Sequence, residues 1–379
     1  MAYVSTVLKE AGYKVGRYIS PTIFSYRERI QVNESYISRE DLIRLTEKVK
    51  AAGDQLLAEG RQHPTMFEME TAIAFLYFAE QNCDLVVLEV GMGGRLDATN
   101  VIRNTKVAVL ASISMDHMGC LGNTLGEIAE HKAGIIKSGC TVVSASQQPE
   151  AAVSVRKKAE QEGCELICVE PEKIKIEKRG LEGQIFSYKE HAQVEIALAG
   201  EYQFLNGALA LEVLDELKRK GYEISEEALK AGMKKTVWLG RFSAIARDPL
   251  FIVDGAHNRD AERVFRDSVE RDLPGKRLIF IMGVLADKEY EEVVRQTVSL
   301  AAEVITVMTP DNPRALPAEE LANTVKKYNS HVQAAESLAA AVDLAYEKAE
   351  KEDAIVAFGS LSYLGEMTRL VRKKTGREG

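Results

Sequence analysis

The stretch from Asp84 to Asn100, DLVVLEVGMGGRLDATN, constrains this chain more than any other. Leu85 to Val90 is an apolar run rich in β-branched residues and broken only by Glu89, the pattern expected of a strand buried on both faces of a parallel sheet. A carboxylate buried without a partner costs several kcal/mol or shifts its pKa, so Glu89, near the strand's carboxyl end, is expected to meet a cation or a substrate proton. Gly91, Gly93 and Gly94 permit positive φ and close approach of another backbone or a ligand. Arg95 and Asp97 then place polar groups at the strand tip, where open α/β sheets bind their ligands. A tight strand-to-loop turn with a surface ion pair accounts for the same residues, and the segment alone does not decide between the two.

At 379 residues the chain exceeds the usual size of a single core, so two domains are expected. An apolar content of 46% and a charged content of 28% are those of a soluble globular protein. The net charge of −8 argues against bulk nucleic-acid binding, since no basic patch offsets it. Neither a membrane-spanning apolar run nor a charged-then-apolar leader is present, so no membrane association is expected. The five cysteines, Cys83, Cys120, Cys140, Cys164 and Cys168, form no CxxC pair. They read as reduced thiols of a cytoplasmic protein, not as a disulfide frame or zinc site.

Taken in order, the chain predicts a helix over Met1–Ala11 closed by Gly12, a strand over Lys14–Ile19, and a loop carrying Arg27, Glu28 and Arg29. Helices over Ser38–Leu57, with Ser38 as cap, and from Thr65 to Ala79 lead into the central strand. A second buried strand over Lys106–Ser114, a helix over Leu125–Ile136 and a strand over Thr141–Ala145 follow. This alternation predicts a doubly wound parallel sheet. From Cys164 to Ala199 shorter, more polar strands suggest a small mixed or antiparallel appendage, closed off by helices over Gln203–Lys220 and Ser225–Lys235. The alternation begins afresh after VWLGR, with strands over Leu250–Val253, Arg277–Met282, Val304–Met308 and Ala354–Phe358 and helices between them. The expected fold is therefore α/β in two domains, residues 1–238 and 239–379.

Several polar groups fall at strand tips. Asp116 and His117 end the second strand as Glu89 ends the first, and carboxylate with imidazole, water and phosphate oxygens would suit magnesium or manganese. Lys132, in the stretch AEHKAGII, reads from sequence alone as a snorkelling side chain covering apolar neighbours. In the second domain IVDGAHN is again an apolar strand ending in an acid; Asn258 suits a helix cap, and Asp254 a ribose-hydroxyl acceptor. Asp287-Lys288, Pro313-Arg314 and Gly359-Ser360-Leu361-Ser362 occupy comparable positions, and together these tips predict a cleft between the domains.

YISPTIFSYRERI, HPTMFEMETAIAF, LEVGMGGRLDATN, MDHMGCLGNTLGEIAEHKAGIIK, VWLGRF, IVDGAHN, MGVLADKEY, DNPRA and FGSLSYLGE span essentially the whole chain. In that order they resemble the folylpolyglutamate synthase and dihydrofolate synthase family of the Mur-ligase group. The resemblance implies an N-terminal P-loop NTPase-like, doubly wound domain and a C-terminal Rossmann-like α/β domain. It implies an ATP-dependent ligase that adds L-glutamate to the carboxylate of folates or dihydropteroate through an acyl phosphate, giving ADP and phosphate.

Two magnesium ions are implied, one held by Ser20 and Glu89 and one by His117. Lys132 matches the family's carbamylated lysine, which replaces the snorkelling reading, and with His117 and His257 it is implied in catalysis. Asn206, Arg241 and Asp254 are similar to residues that hold adenine, phosphate and ribose. Thr65, Phe67, Arg95, Leu96 and Asp97 fall where the pterin-bearing substrate lies, and Ser360 near the glutamate. A monomer is expected.

The family's glycine-rich GKGS or GKGT phosphate loop does not occur ahead of the first helix. The expectation is a fragment; the alternative is a short form that binds ATP poorly. Another Mur-type ligase and a non-catalytic folate-binding protein are the competing functional readings. An NAD-dependent oxidoreductase is disfavoured because no GxGxxG follows a strand.

Overall fold

A computed structural model describes residues 1–115, 121–256 and 259–376. The chain divides into two units, one comprising residues 1–176, 186–196 and 204–236, the other residues 177–185, 197–203 and 237 onward. The division is thus not a single cut at 238/239. Two segments that sequence order assigns to the first domain cluster with the second, because apolar and charged residues on them pack there, as described below.

The first unit opens with helix α1 (Ala2–Glu10) and strand β1 (Val15–Tyr18). Gly12, at φ +92, makes the reversal between them. Strands β2 (Ile30–Val32) and β3 (Ser35–Tyr36) follow a 3-10 turn over Tyr26–Arg29. Helix α2 (Arg39–Ala58) is capped by Ser38, whose hydroxyl accepts from the Asp41 amide at 2.9 Å. Helix α3 (Met66–Glu80) starts on a capping box in which Thr65 and Glu68 each bond the other's backbone. Strand β4 (Leu85–Leu88) pairs in parallel with β1, giving the order β3-β2-β1-β4.

A second sheet contains β5 (Val107–Leu110), β6 (Thr141–Ser144) and β7 (Leu166–Cys168), all parallel. Helices α4 (Leu125–Ala133) and α5 (Pro149–Gln161) pack on it around Ile128, Ala129, Val142 and Val155. Strand β7 therefore belongs to this sheet and not to an appendage. Strands β8 (Ile174–Lys178), β9 (Gln184–Tyr188) and β10 (His191–Ile196) form a three-stranded sheet. Helices α6 (Tyr202–Arg219) and α7 (Glu226–Lys235) follow. Gly232 lets α7 seat directly on α1, since a Cβ there would lie 2.4 Å from the Val7 Cα.

Two strand expectations are corrected. Val86 of β4 and Val109 of β5 are each 38% exposed, so neither strand is buried on both faces. Among the described residues β4 pairs only with β1 and β5 only with β6. An apolar run reports a residue's preference for burial, whereas actual burial depends on what lies alongside.

The second unit is a six-stranded sheet in the order β11-β12-β16-β13-β14-β15. Its strands are β11 (Ser243–Arg247), β12 (Leu250–Val253), β13 (Leu278–Met282), β14 (Glu303–Thr306), β15 (Val332–Ala334) and β16 (Ala354–Phe358). Only β11 with β12 is antiparallel. Helices α8 (Arg259–Asp272), α9 (Tyr290–Thr297), α10 (Ala318–Val325), α11 (Leu338–Lys348) and α12 (Leu364–Lys374) complete it. The central strands β13 and β16 are buried at every position, as expected for parallel strands covered on both faces. Phe265, Phe280 and Phe358 stack at the core, with Phe265 and Phe358 centroids 4.3 Å apart. No helix among the described residues is long and apolar enough to cross a membrane.

Candidate active site

In the first unit the site grows from the ends of β1 and β4. The Glu89 amide donates to the Tyr18 carbonyl at 2.9 Å, carrying the strand pairing one residue further. The half-buried Glu89 carboxylate then accepts from the Ser20 amide at 2.9 Å. The Glu89 carboxylate and residue Ser20 are thereby held together just beyond the ends of β4 and β1.

Beyond Glu89 the loop is braced from within. Asp97 accepts from the Met92 amide at 2.9 Å with one oxygen, and from the Thr99 amide at 3.0 Å and hydroxyl at 2.6 Å with the other. A Cβ on Gly91 would lie 2.5 Å from the Phe67 ring, so glycine is what allows the loop to cross that face. The far end of the loop docks on the last turn of α4. The Arg95 amide donates to the His131 carbonyl at 2.9 Å, and Asn100 donates to the Gly134 carbonyl at 3.0 Å. Lys132, half-buried, lies on that turn, so the loop from Glu89 and the helix carrying Lys132 form one local assembly.

Phe67 sits against Tyr18, with centroids 6.0 Å apart, and the Arg29 guanidinium lies 5.9 Å from its ring centre. Arg29 in turn pairs with Glu70 at 3.3 Å, both largely buried, and Tyr26 donates to Glu70 at 2.8 Å. Burial, then the bond to Glu70 and its charge, push the Tyr26 phenol pKa well above its usual value. This Tyr26–Arg29–Glu70 cluster was missed by sequence reasoning. The available signal was Glu70 itself, a carboxylate set in the apolar helix MFEMETAIAFLYF.

Of the residues implied in substrate binding, Thr65 is committed to the α3 cap and Asp97 to the loop. Leu96 is 85% exposed. Arg95 projects outward with its guanidinium 3.9 Å from Glu130, itself exposed.

In the second unit Asp254 stands at the end of β12, 5% exposed. It accepts from the Phe242 and Ala256 amides, each at 2.7 Å. Burial raises its carboxyl pKa, opposed by the Arg241 charge and by those two amides. A Cβ on Gly255 would lie 2.7 Å from Arg241 Nη1, so arginine and strand tip are in close contact. Tyr202 belongs to the same cluster. Desolvation and the Asp254 charge push its phenol pKa well above the usual value. Ser360 is buried and accepts from the Ser362 amide at 3.2 Å, capping the turn after β16. Asn206 is exposed in the first turn of α6, in the first unit. Asp116, His117, His257 and Asn258 lie outside the described residues.

Residues 36–214 match the Mur ligase middle domain and residues 240–361 the Mur ligase glutamate ligase domain. Over 328 residues the chain is 35% identical to the dihydrofolate synthase/folylpolyglutamate synthase of Bacillus subtilis (strain 168), covering 85% of this chain and 76% of that protein. The chain belongs to the folylpolyglutamate synthase/dihydrofolate synthase family. The folylpolyglutamate synthase of Thermotoga maritima superposes with a TM-score of 0.86 at 32% identity, covering 99% of this chain and 86% of its own. The Mycobacterium tuberculosis folylpolyglutamate synthase complexed with ADP and AMPPCP gives 0.86 at 26% identity, covering 100% and 88%.

Magnesium is what the resemblance implies, and the oxygen-bearing side chains of Ser20 and Glu89 are of a kind that fits that ion. One carboxylate and one hydroxyl suit a small, hard cation that keeps most of its waters. No group of three or more His, Cys, Asp or Glu side chains among the described residues forms a closed metal cage.

Proposed function

We propose that this chain is an ATP-dependent ligase that joins L-glutamate to the carboxylate of a folate, forming ADP and phosphate. Dihydropteroate is a second acceptor under the same chemistry. The observation that carries the reading is the Ser20–Glu89 hydrogen bond, which holds two oxygen-bearing residues at the tips of adjacent strands beside a loop seated on the Lys132 helix.

A carboxylate resists attack by an amine. ATP converts it to an acyl phosphate, glutamate's amine attacks the carbonyl carbon, and phosphate leaves. Magnesium bound with ATP supplies neutralisation of phosphate charge. In this reading Ser20 and Glu89 hold that ion and His117 a second one. Lys132 carries a carbamate, so an ammonium becomes a carboxylate-like acceptor. Asn206, Arg241 and Asp254 take adenine, phosphate and ribose, with Tyr202 packed beside the last two, and His257 assists. Phe67 offers an aromatic face to the pterin, with Thr65, Arg95, Leu96 and Asp97 around it, and Ser360 lies on the glutamate side. The domain assignment in this reading is catalytic ATPase-like for the first unit and glutamate-ligating for the second.

The test is phosphate release from this chain with ATP, magnesium, tetrahydrofolate and glutamate, with each component omitted in turn. Turnover that needs all four supports the reading, and release indifferent to folate and glutamate overturns it. In the same assay Lys132→Ala is expected to lose at least a hundredfold in rate and to regain part of it with added formate or acetate. Full activity of the uncomplemented variant refutes the role given to Lys132.

A further inference from the structure

Two thiols in the first unit face each other just ahead of β6 and β7. Cys140 immediately precedes β6, Cys164 lies two residues ahead of β7, and their sulfurs are 3.8 Å apart. The placement follows from the ladder. Val142 is paired with Leu166 in parallel register, so Cys140 and Cys164, each two residues upstream, stand opposite one another. Neighbouring strands run about 4.8 Å apart, inside the Cα separation of roughly 4.4–6.8 Å that a disulfide spans. Bonding needs the sulfurs to close to about 2.05 Å, a side-chain adjustment that leaves the ladder in place.

The two cysteines differ in access. Cys140 is 4% exposed, whereas Cys164 is half-buried and reachable. Both also bind the same backbone group. The Lys137 carbonyl accepts from the Cys140 amide at 3.1 Å and from the Cys164 thiol at 3.2 Å. That carbonyl belongs to the turn leaving α4, the helix of Lys132.

We propose that Cys140 and Cys164 are a thiol–disulfide exchange site, closing reversibly into a staple between the turn after α4 and the start of β7. With a small disulfide such as oxidised glutathione, the Cys164 thiolate attacks one sulfur, forming a mixed disulfide and releasing one glutathione thiolate. Cys140 then gives its proton to that thiolate and attacks the Cys164 sulfur, expelling the second glutathione. Two protein thiols are oxidised by two electrons, and one small disulfide is reduced to two thiols. Burial raises the Cys140 thiol pKa, which makes it the resolving partner and not the first attacker. Closure removes freedom from a loop of about 25 residues in the unfolded chain, so the oxidised form is the more heat-resistant one.

The experiment incubates the fully reduced chain with excess oxidised glutathione, quenches in acid, unfolds, alkylates the remaining thiols and maps peptides by mass spectrometry. The expected result is a Cys140–Cys164 cross-linked peptide pair that dithiothreitol reverses, with a melting temperature several degrees above that of the reduced chain. Cys140→Ser is expected to retain one glutathione on Cys164 instead. Recovery of both cysteines as alkylated peptides from the wild-type chain overturns the proposal. So does a lasting glutathione adduct on Cys164 while Cys140 stays free.

Discussion

Glu262 of the second unit carries a heavy desolvation penalty. It is completely buried on α8, and neither carboxylate oxygen has a hydrogen-bond partner among the described residues. Burial first, then the charges of Asp254 and Glu292, push its pKa up to about 9. Nearby Asp254 is also buried, but it is held by two amides and faces Arg241. Burial raises both carboxyl pKa values, but only Asp254 has a cation and backbone amides opposing the shift. In the unfolded chain Glu262 titrates near the ordinary value of about 4.3, so between there and 9 the folded state binds the extra proton. Stability from this group is complete below the lower value and is lost as pH rises through the upper one. Glu262→Gln keeps the shape and removes the titration. The variant is expected to match wild type near pH 4.5 and to exceed it by about 3 kcal/mol at pH 7, a gap that grows towards pH 9. Urea unfolding at a series of pH values measures this, and parallel curves for the two proteins would refute it. Nothing in the sequence singled out Glu262, since RDAERVFRDSVERD reads as an ordinary charged helix. Its cost arises only from which side of α8 faces the core.

At the scale of elements, the seat of the Glu89 loop on α4 is narrow enough to test with one methyl group. Gly134 follows α4 with φ −59, a conformation alanine adopts freely. Its added Cβ would nevertheless lie 2.4 Å from the Arg95 Cβ and 2.6 Å from the Arg95 Cα. Backbone cannot rotate away as a flexible side-chain tip does, so the loop must lift. Gly134→Ala is expected to cost about 1–3 kcal/mol in urea unfolding, the usual range for overpacking, and to lower ligase turnover because the Glu89 loop and the Lys132 turn separate. Unchanged stability and turnover would show that the seat tolerates displacement. This docking was only half legible beforehand. The glycines of GMGGRLDATN announced a close approach, but not its partner. The capped helices α2 and α3 were readable because Ser38 with Asp41 and Thr65 with Glu68 act within one turn. Strands β12 and β16 were readable because both faces are covered, so their apolar runs are unbroken. The hairpin β2–β3, strands β11 and β15, and helices α5 and α12 went unread. The first are short pieces whose pairing is decided across the sheet, and α5 buries only a stripe of Ala151, Val155 and Ala159.

At the scale of the molecule, the boundary at VWLGR marks where the second sheet begins but not everything that its core requires. Leu181 packs on that core and Ala199 is buried within it. Glu201 receives Arg271 at 2.8 Å and Arg179 at 3.1 Å, while Glu182 pairs with Arg247. Tyr202 lies beside Asp254 and Arg241. Arg179, Leu181, Glu182, Ala199, Glu201 and Tyr202 come from residues 177–185 and 197–203, distant in sequence from the strands they serve, which is why composition and periodicity could not assign them. A fragment of residues 239–379 would carry the entire six-stranded sheet and still lack this layer. Burying a leucine side chain is worth roughly 1.5–3 kcal/mol, and the exposed ion pairs add little, so the loss falls mainly on apolar packing and on the Asp254 pocket. The fragment is therefore expected to fold with native-like circular dichroism but to melt at least ten degrees below the corresponding transition of the full chain. Its Asp254–Arg241 cluster is also expected to be open to solvent, detected as faster amide exchange at Phe242 and Ala256. A fragment that melts with the full chain and protects those two amides equally would show that the two segments are passengers, and that the second unit is complete from Leu239 onward.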